Sequence, residues 1–506
     1  MNELDLVISD ALMIDGSLAT TPTLTDIGVR GGIIEEVGDL SDRARTSTLD
    51  AGGRVLTPGF IDTHTHVEMT ALGGDDRGAA VAQGITTTLI GADGFGWVGL
   101  DPANRRRWWE ETSAIYGPIP SELPDWPKPP DFLRDLRRGS ATDVVAMIPH
   151  NNVRAAVMGA SRGKPDASQM SRMHSLVDDW IQAGAVGLAT GLDYLPGRFA
   201  GTDEIIELTE RVAQSGGVYA SHLRTLDSGR QGAWREAHEI GSRAGTPVRI
   251  AHERLDEEGL SLLNEVSTSW DVTIDSYLYP AGCTSLAFHV PPELLLDGVM
   301  HLVGRLRADT DLATQLAETL DPKLDGGPGK HVIVAGTSSG RFEGRTIESI
   351  AAERGVSAGQ VGVELLIEEM PSAVLIYAWQ DADSSWDEVM KSTLNDPRTL
   401  IASDGIYFGT HAHPRGFGAF PRVLGQLCRD KGLVSLVDAV HKMTAKPAEA
   451  YGLRDRGRIE PGLRADLVLF DPEVIAGADD FANPRTPPRE IEMTMVGGVV
   501  TRKEQV

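Results

Sequence analysis

The sequence predicts an α/β protein, a (β/α)8 TIM barrel with a small β-sandwich domain built from both chain termini. Three observations point there. Eight short β-rich apolar runs recur through the middle of the chain, and helix-like stretches separate most of them. Both ends are instead rich in short strands broken by turns.

Residues 4 to 57 supply the first strands of the terminal domain. Leu4–Ser9, Ala11–Ile14, Asp26–Arg30 and Ile33–Val37 alternate with DG, GG and GD turn signals. Its remainder lies at the other end. Ala465–Phe470 reads as an apolar strand, and Glu492–Val496, two glycines and Val499–Arg502 read as a tight hairpin. The expected boundaries are 1–57 and 456–506 for this domain and 58–455 for the barrel. The eight barrel runs are Gly59–Asp62, Gly84–Ala92, Val144–Pro149, Val186–Thr190, Val218–Ser221, Val248–Ala251, Val272–Tyr279 and Thr399–Ser403. Ser171–Ala183, Asp203–Gln214 and Trp234–Ala244 are helix-like connections. Two connections are too long to be ordinary. Asp101–Arg138 is rich in Trp and Pro, and 286 to about 350 forms an insertion with a helical pattern over Leu294–Leu320; either could cover a pocket.

Composition excludes several function classes. At roughly 100–200 residues per domain, 506 residues fit two to four domains, or one large barrel with an accessory. A chain 41% hydrophobic and 24% charged is not mostly disordered. A net charge of −26 has the wrong sign for neutralising phosphates, so no nucleic acid and no membrane is expected as a partner. No apolar run reaches the ~18 residues of a membrane span. The opening MNELDLVISD lacks the pattern of a signal peptide. Two cysteines, Cys283 and Cys428, make no disulfide framework, and a cytoplasmic location fits. The expected partner is a small-molecule substrate; the sequence leaves the oligomeric state open.

Of 13 histidines, four stand out. His64 and His66, in GFIDTHTHVE, follow the first barrel run, and a period of two puts both rings on one face. His222 and His252 each end a later run. The C-terminal face of such a barrel is where active sites lie, and four imidazoles gathered there make a divalent metal site. Asp404 ends the eighth run and Asp93 the second. Each precedes glycine, so each is either a ligand or proton carrier, or simply part of an Asp-Gly turn. Glu68 and Asp62 flank the histidine pair and could orient the rings.

These features resemble the amidohydrolase superfamily, and within it the N-acyl-D-amino-acid deacylases, or D-aminoacylases. The likeness runs through PGFIDTHTH, GITTTLIGADG, TGLDYLPG, YASHLR, IAHERL, DSYLYPAGCTSL, ASDG, HPRGFGAFPRVLG and GRIEPGLRADLVLFD, nearly the whole chain. The resemblance implies that His222 and His252 hold the tighter zinc ion and that His64 and His66 belong to a second site. Asp404 would be a metal ligand and the general base and acid. Arg415 would grip the substrate carboxylate, helped by Tyr279 and Tyr194. Two positions depart from the family. Arg254 stands in place of a lysine, and Asp93 in place of a bridging cysteine. A carboxylate also bridges two cations and is harder than thiolate, so one or two ions are implied, with Zn2+ joined by Mn2+, Co2+ or Fe2+. Related cyclic-amide hydrolases use a carbamylated lysine as the bridge. No lysine occurs between Lys164 and Lys323, which favours Asp93 in that role.

The implied activity is hydrolysis of N-acyl-D-amino acids to a D-amino acid and a carboxylate by metal-activated water. Two alternatives remain: the same barrel acting on another amide, lactam, carbamate or ester, and a non-catalytic barrel used as a scaffold. Retention of all four histidines and Asp404 speaks against the last.

Overall fold

The computed structural model describes residues 3–73, 76–326, 330–379, 384–477 and 480–503. Eight parallel strands form the central barrel, each at one of the eight expected runs. In order they are Phe60–Asp62, Ile85–Ile90, Asp143–Ala146 continued by Ile148–Pro149, Gly187–Gly191, Val218–His222, Val248–Ile250, Val272–Ser276 and Thr399–Ile401. Strands one to three pair in sequence, and so do three to eight. Met147 links the two parts of the third strand and donates its N–H to Ile90 O at 2.9 Å.

The eighth strand meets the first just beyond their ends. Asp404 N donates to His64 O at 2.8 Å, and Thr65 bridges Gly405 in parallel. Asp62 seals the seam beneath, accepting from Ser403 N at 2.9 Å and Ser403 Oγ at 2.5 Å. Nearly every barrel-strand residue is buried, as expected where side chains fill the barrel and helices cover it. Several helices start on side-chain caps. Asp166 accepts from Gln169 N while Gln169 returns a bond to Asp166 N, opening Ala167–Gln182.

The terminal strands form one mixed eight-stranded sheet, with the N-terminal Val55–Pro58 pairing the C-terminal Leu467–Phe470. The first strand runs unbroken from Leu4 to Met13. Asp10 takes a positive φ of 53° where the pairing register shifts. Before this bulge the strand pairs Arg45–Asp50, and after it Val55–Pro58. The two wings share one core, including Ile8, Ile27, Leu56, Leu467 and Met495. The expected hairpin is present as Ile491–Val496 and Val499–Lys503.

Between the seventh and eighth barrel strands the chain builds a separate lobe. Ala281–Ser285, Lys330–Gly336 and Val374–Trp379 form an antiparallel sheet. Four helices pack with it around Leu302, Leu320, Ile350, Val361 and Leu366. The stretch 286–350 lies inside this lobe, which extends on to Trp379. Asp101–Arg138 folds as two helices, Pro102–Tyr116 and Pro129–Gly139, beside the site. Among the described residues, no helix is long and apolar enough to cross a membrane.

Candidate metal centre and substrate clamp

All six residues read from the sequence as metal ligands converge at the C-terminal mouth of the barrel. His64 Nε2 lies 3.4 Å from Asp93 Oδ1 and 3.7 Å from Asp404 Oδ1. His66 Nε2 lies 3.6 Å from Asp93 Oδ2 and 3.4 Å from Asp404 Oδ1. His222 Nδ1 is 2.8 Å from His252 Nε2 and 3.8 Å from Asp93 Oδ2. Asp93 thus turns one oxygen to His64 and the other to His66 and His222. Two triads bring their donor atoms within 4.8 Å of one another: His64, Asp93 and His252, and His64, His66 and Asp404.

The backbone is bent to make this convergence. Asp93, His252 and Asp404 have φ of 55°, 41° and 47°. The left-handed region is uncommon for residues other than glycine and is tolerated best by Asp and Asn. Asp93 and Asp404 are thus turn residues, and the turn aims each carboxylate at the histidines.

The donor set fits a divalent cation. His64 Nε2 and Asp93 Oδ1 are buried and have no hydrogen-bond partner. A small cavity opens on His64, Asp93, His222 and Asp275. Burial alone would depress His64, yet Asp93, Asp275 and Asp404 draw its pKa up to about 10, so positive charge is strongly favoured there. Burial, with His222 beside it, pushes His252 down to about 4 and leaves a neutral donor nitrogen.

Several residues that orient this cluster were not read from the sequence. Tyr116 Oη bonds His66 Nδ1 at 2.9 Å. Asp193 Oδ2 faces His222 Nε2 at 3.5 Å and is itself fixed by Thr225 Oγ1 and by the N–H groups of Thr225 and Leu226. Asp275 accepts from His252 N at 2.7 Å and faces His64 Nδ1 at 3.7 Å. Of the two flanking acids, Glu68 accepts from Gly91 N at 2.9 Å behind the site, and Asp62 seals the barrel seam.

The family model described as the amidohydrolase family matches residues 47–256 and 296–502. A D-aminoacylase of Alcaligenes xylosoxydans xylosoxydans is 32% identical over 99% of this chain and 95% of its own. A solved D-aminoacylase structure superposes with a TM-score of 0.79 at 32% identity, covering 99% of this chain and 97% of that one. The N-acyl-D-glutamate deacylase of Bordetella bronchiseptica, solved with zinc and a phosphonate mimic of the tetrahedral intermediate, gives 0.81 at 27% identity, covering 99% and 96%. The chain belongs to the amidohydrolase family, in its D-aminoacylase branch.

On the far side of Asp404 this amidohydrolase carries a buried guanidinium. Arg415 Nη1 lies 2.9 Å from Asp404 Oδ2, and Arg415 is only 1% exposed. Its Nε is buried without a hydrogen-bond partner, and its Cζ sits 4.4 Å over the Tyr277 ring. Burial would raise the Asp404 pKa, but Arg415 and the nearby imidazoles hold it well below the usual carboxylate range. Arg254 stands next to this pair. It donates to Tyr277 Oη at 2.9 Å and Ala281 O at 3.1 Å, and stacks against Tyr277 and Trp386.

The two expected tyrosines part company. The Tyr194 ring packs 4.6 Å from His222, at the site. Tyr279 is fully buried one layer behind, against His413 and under Arg422, and Tyr277 occupies the place expected for it beside both arginines. The strand ends at Ser276 and Leu278 has φ of 55°, so the period-two counting that would put Tyr277 and Tyr279 on one face fails there.

Proposed function

We propose that this chain hydrolyses the amide bond of N-acyl-D-amino acids, releasing a carboxylate and a D-amino acid. One observation carries the reading: Arg415, a buried guanidinium with a free N–H, stands directly beside the aspartate of a metal cluster. A group able to hold a carboxylate therefore adjoins a hydrolytic centre. The names of the similar D-aminoacylases and deacylases support the amide bond and the D configuration.

His64, His66, Asp93, His222, His252 and Asp404 are the proposed ligands, with Asp93 as the bridge. A divalent ion in such a set polarises a carbonyl oxygen and lowers the pKa of water from about 15.7 to about 7. Four imidazoles and the zinc-containing relative put Zn2+ first; carboxylate in place of thiolate leaves Mn2+, Co2+ or Fe2+ compatible.

Asp404 is the proposed proton carrier. Its Oδ1 faces the histidines while its Oδ2 is held by Arg415. The carboxylate takes a proton from the attacking water and returns it to the departing amine nitrogen. Arg415 keeps Asp404 ionised for the first transfer. Its free Nε, with Arg254 and the hydroxyls of Tyr277 and Tyr194, holds the substrate carboxylate by charge-assisted hydrogen bonds. The two unpaired cysteines, Cys283 and Cys428, support a cytoplasmic location.

The test is amine release from matched N-acetyl-D- and N-acetyl-L-amino acids by the metal-loaded enzyme. Turnover of the D series is expected. Hydrolysis confined to lactams, carbamates or esters would replace this reading with the broader hydrolase one.

A further inference from the structure

His413, two residues before Arg415, is fully buried. Arg415 opens the helix Arg415–Arg422, and the first N–H groups of a helix have no partner inside it. Pro414, at the cap position, offers no side-chain acceptor. His413 takes that task from one residue further back. Arg415 N donates to its Nδ1 at 3.0 Å, and Gly416 N donates to its carbonyl at 3.2 Å. An acceptor at Nδ1 puts the ring proton on Nε2. Nε2 is buried without a close hydrogen bond, and the Ala281 backbone carbonyl favours a proton there. The same carbonyl accepts from Arg254 Nη2 at 3.1 Å. One imidazole therefore stands between the main chain of Arg415 and the anchor of Arg254.

Three aromatic rings hold this imidazole edge to face. Tyr279 lies 5.3 Å away, Phe481 5.4 Å and Tyr277 6.1 Å, centroid to centroid. Tyr277 is also the ring that the Arg415 and Arg254 guanidinium groups cover. Tyr279, which stands behind the clamp, thus reaches it through His413. Burial, with Arg415 and Arg254 beside it, keeps the His413 pKa well below the ordinary histidine value, against the pull of Asp404. Its Nδ1 therefore stays an acceptor.

We propose that His413 is a positioning residue for the carboxylate clamp: its bond to Arg415 N sets the guanidinium in place and so sets the preference for a free acid over its ester. The proposal rests on the reading of Arg415 as the carboxylate clamp of a deacylase. The bond goes to the main chain, which fixes where the Arg415 side chain starts and leaves its Nε free for substrate.

The experiment measures amine release from N-acetyl-D-methionine and from its methyl ester, with kcat and KM resolved, by the metal-loaded wild type, His413→Phe and His413→Asn. His413→Phe keeps a ring among the aromatics and loses the acceptor. Its acid-to-ester ratio of kcat/KM is expected to fall about fivefold, the worth of one hydrogen bond, mainly through KM for the acid. His413→Asn keeps an acceptor for the N–H two residues on, and its ratio should stay within about twofold of wild type. Should His413→Phe not fold, His413→Gln reads the same loss, because its amide reaches the place of Nε2 and not that of Nδ1. An unchanged ratio in the variants without the acceptor would overturn the proposal. So would equal losses on acid and ester, the mark of general support, or a fall in His413→Asn as large as in His413→Phe. A wild type that turns over neither substrate, or shows no preference for the acid, would overturn the clamp reading and the proposal together. A wild-type preference that the variants leave intact overturns the role of His413 alone.

Discussion

Arg415 Nη1 and Asp404 Oδ2 form a buried ion pair at 2.9 Å, so the proposed carboxylate clamp also holds the proposed proton carrier. Arg415→Ala should accordingly produce two losses. Removing one partner of a buried pair costs about 3–5 kcal/mol, and the part that falls on Asp404 is common to every substrate. The part that falls on the substrate carboxylate is not. The preference for an N-acyl-D-amino acid over its methyl ester should fall by about thirtyfold, the equivalent of about 2 kcal/mol. Equal losses on acid and ester would mean that Arg415 serves Asp404 alone.

Asp404→Asn is expected to lose about 10²–10⁴ in kcat, the usual worth of a positioned acid or base. An amide keeps the shape and one oxygen but accepts no proton. Metal content by elemental analysis should stay above that of His64→Ala, because the asparagine oxygen can still donate to a cation whereas alanine offers no donor atom. A loss below about tenfold would put proton transfer on another group.

Much of this site was legible because a parallel strand advertises itself as an apolar run and its last residue marks the catalytic face. His222 and His252 close such runs, and HTH follows the first. Asp275 was hidden because it lies inside the run Val272–Tyr279, whose true end at Ser276 is masked by Tyr277, Leu278 and Tyr279, which continue the strand-like pattern. Tyr279 was named from the family resemblance, which does not show that the strand ends at Ser276 and that a left-handed Leu278 leaves Tyr277 under the two arginines. Tyr116 and Asp193 arrive from a helix and a loop, where no periodicity points inward. In the terminal sheet, Arg45–Asp50 is polar and mostly exposed, so no apolar alternation marks it as a strand.

Asp93 supplies the next prediction. Its two oxygens face different histidines, so Asp93→Ala should lose at least one of two bound ions, read by elemental analysis after reconstitution. Asp93→Cys should retain binding and shift preference towards softer ions. Full occupancy by two ions in Asp93→Ala would rule out the bridge.

Tyr116 tests the outer support of the cluster. Tyr116→Phe removes the hydroxyl bonded to His66 Nδ1 and leaves a ring to pack on Trp97 and Phe95. Outer partners of metal-binding histidines are worth about 10–100-fold in metal affinity. Competition with a chelator should show a loss in that range, and an unchanged affinity would mean that packing alone orients His66.

Lys442 lies far along the chain from these residues and tests stability. Its side chain is buried and its ammonium donates to the Asp396 carbonyl. Burial pushes its pKa down to about 8, with the Asp396 carboxylate opposing and Lys446 adding to the shift. The unfolded chain therefore binds the proton more tightly than the native one. Between about pH 8 and the unfolded value of 10.5 the unfolded state holds more protons, so stability gains from this residue as pH rises through that window and not below it. The full gain is about 3 kcal/mol at most. Lys442→Met cannot titrate. In urea unfolding, the stability of wild type relative to Lys442→Met should be flat up to about pH 7 and then climb towards pH 10.5. Parallel stability curves for the two proteins across that range would show that the Lys442 ammonium is not strained by burial.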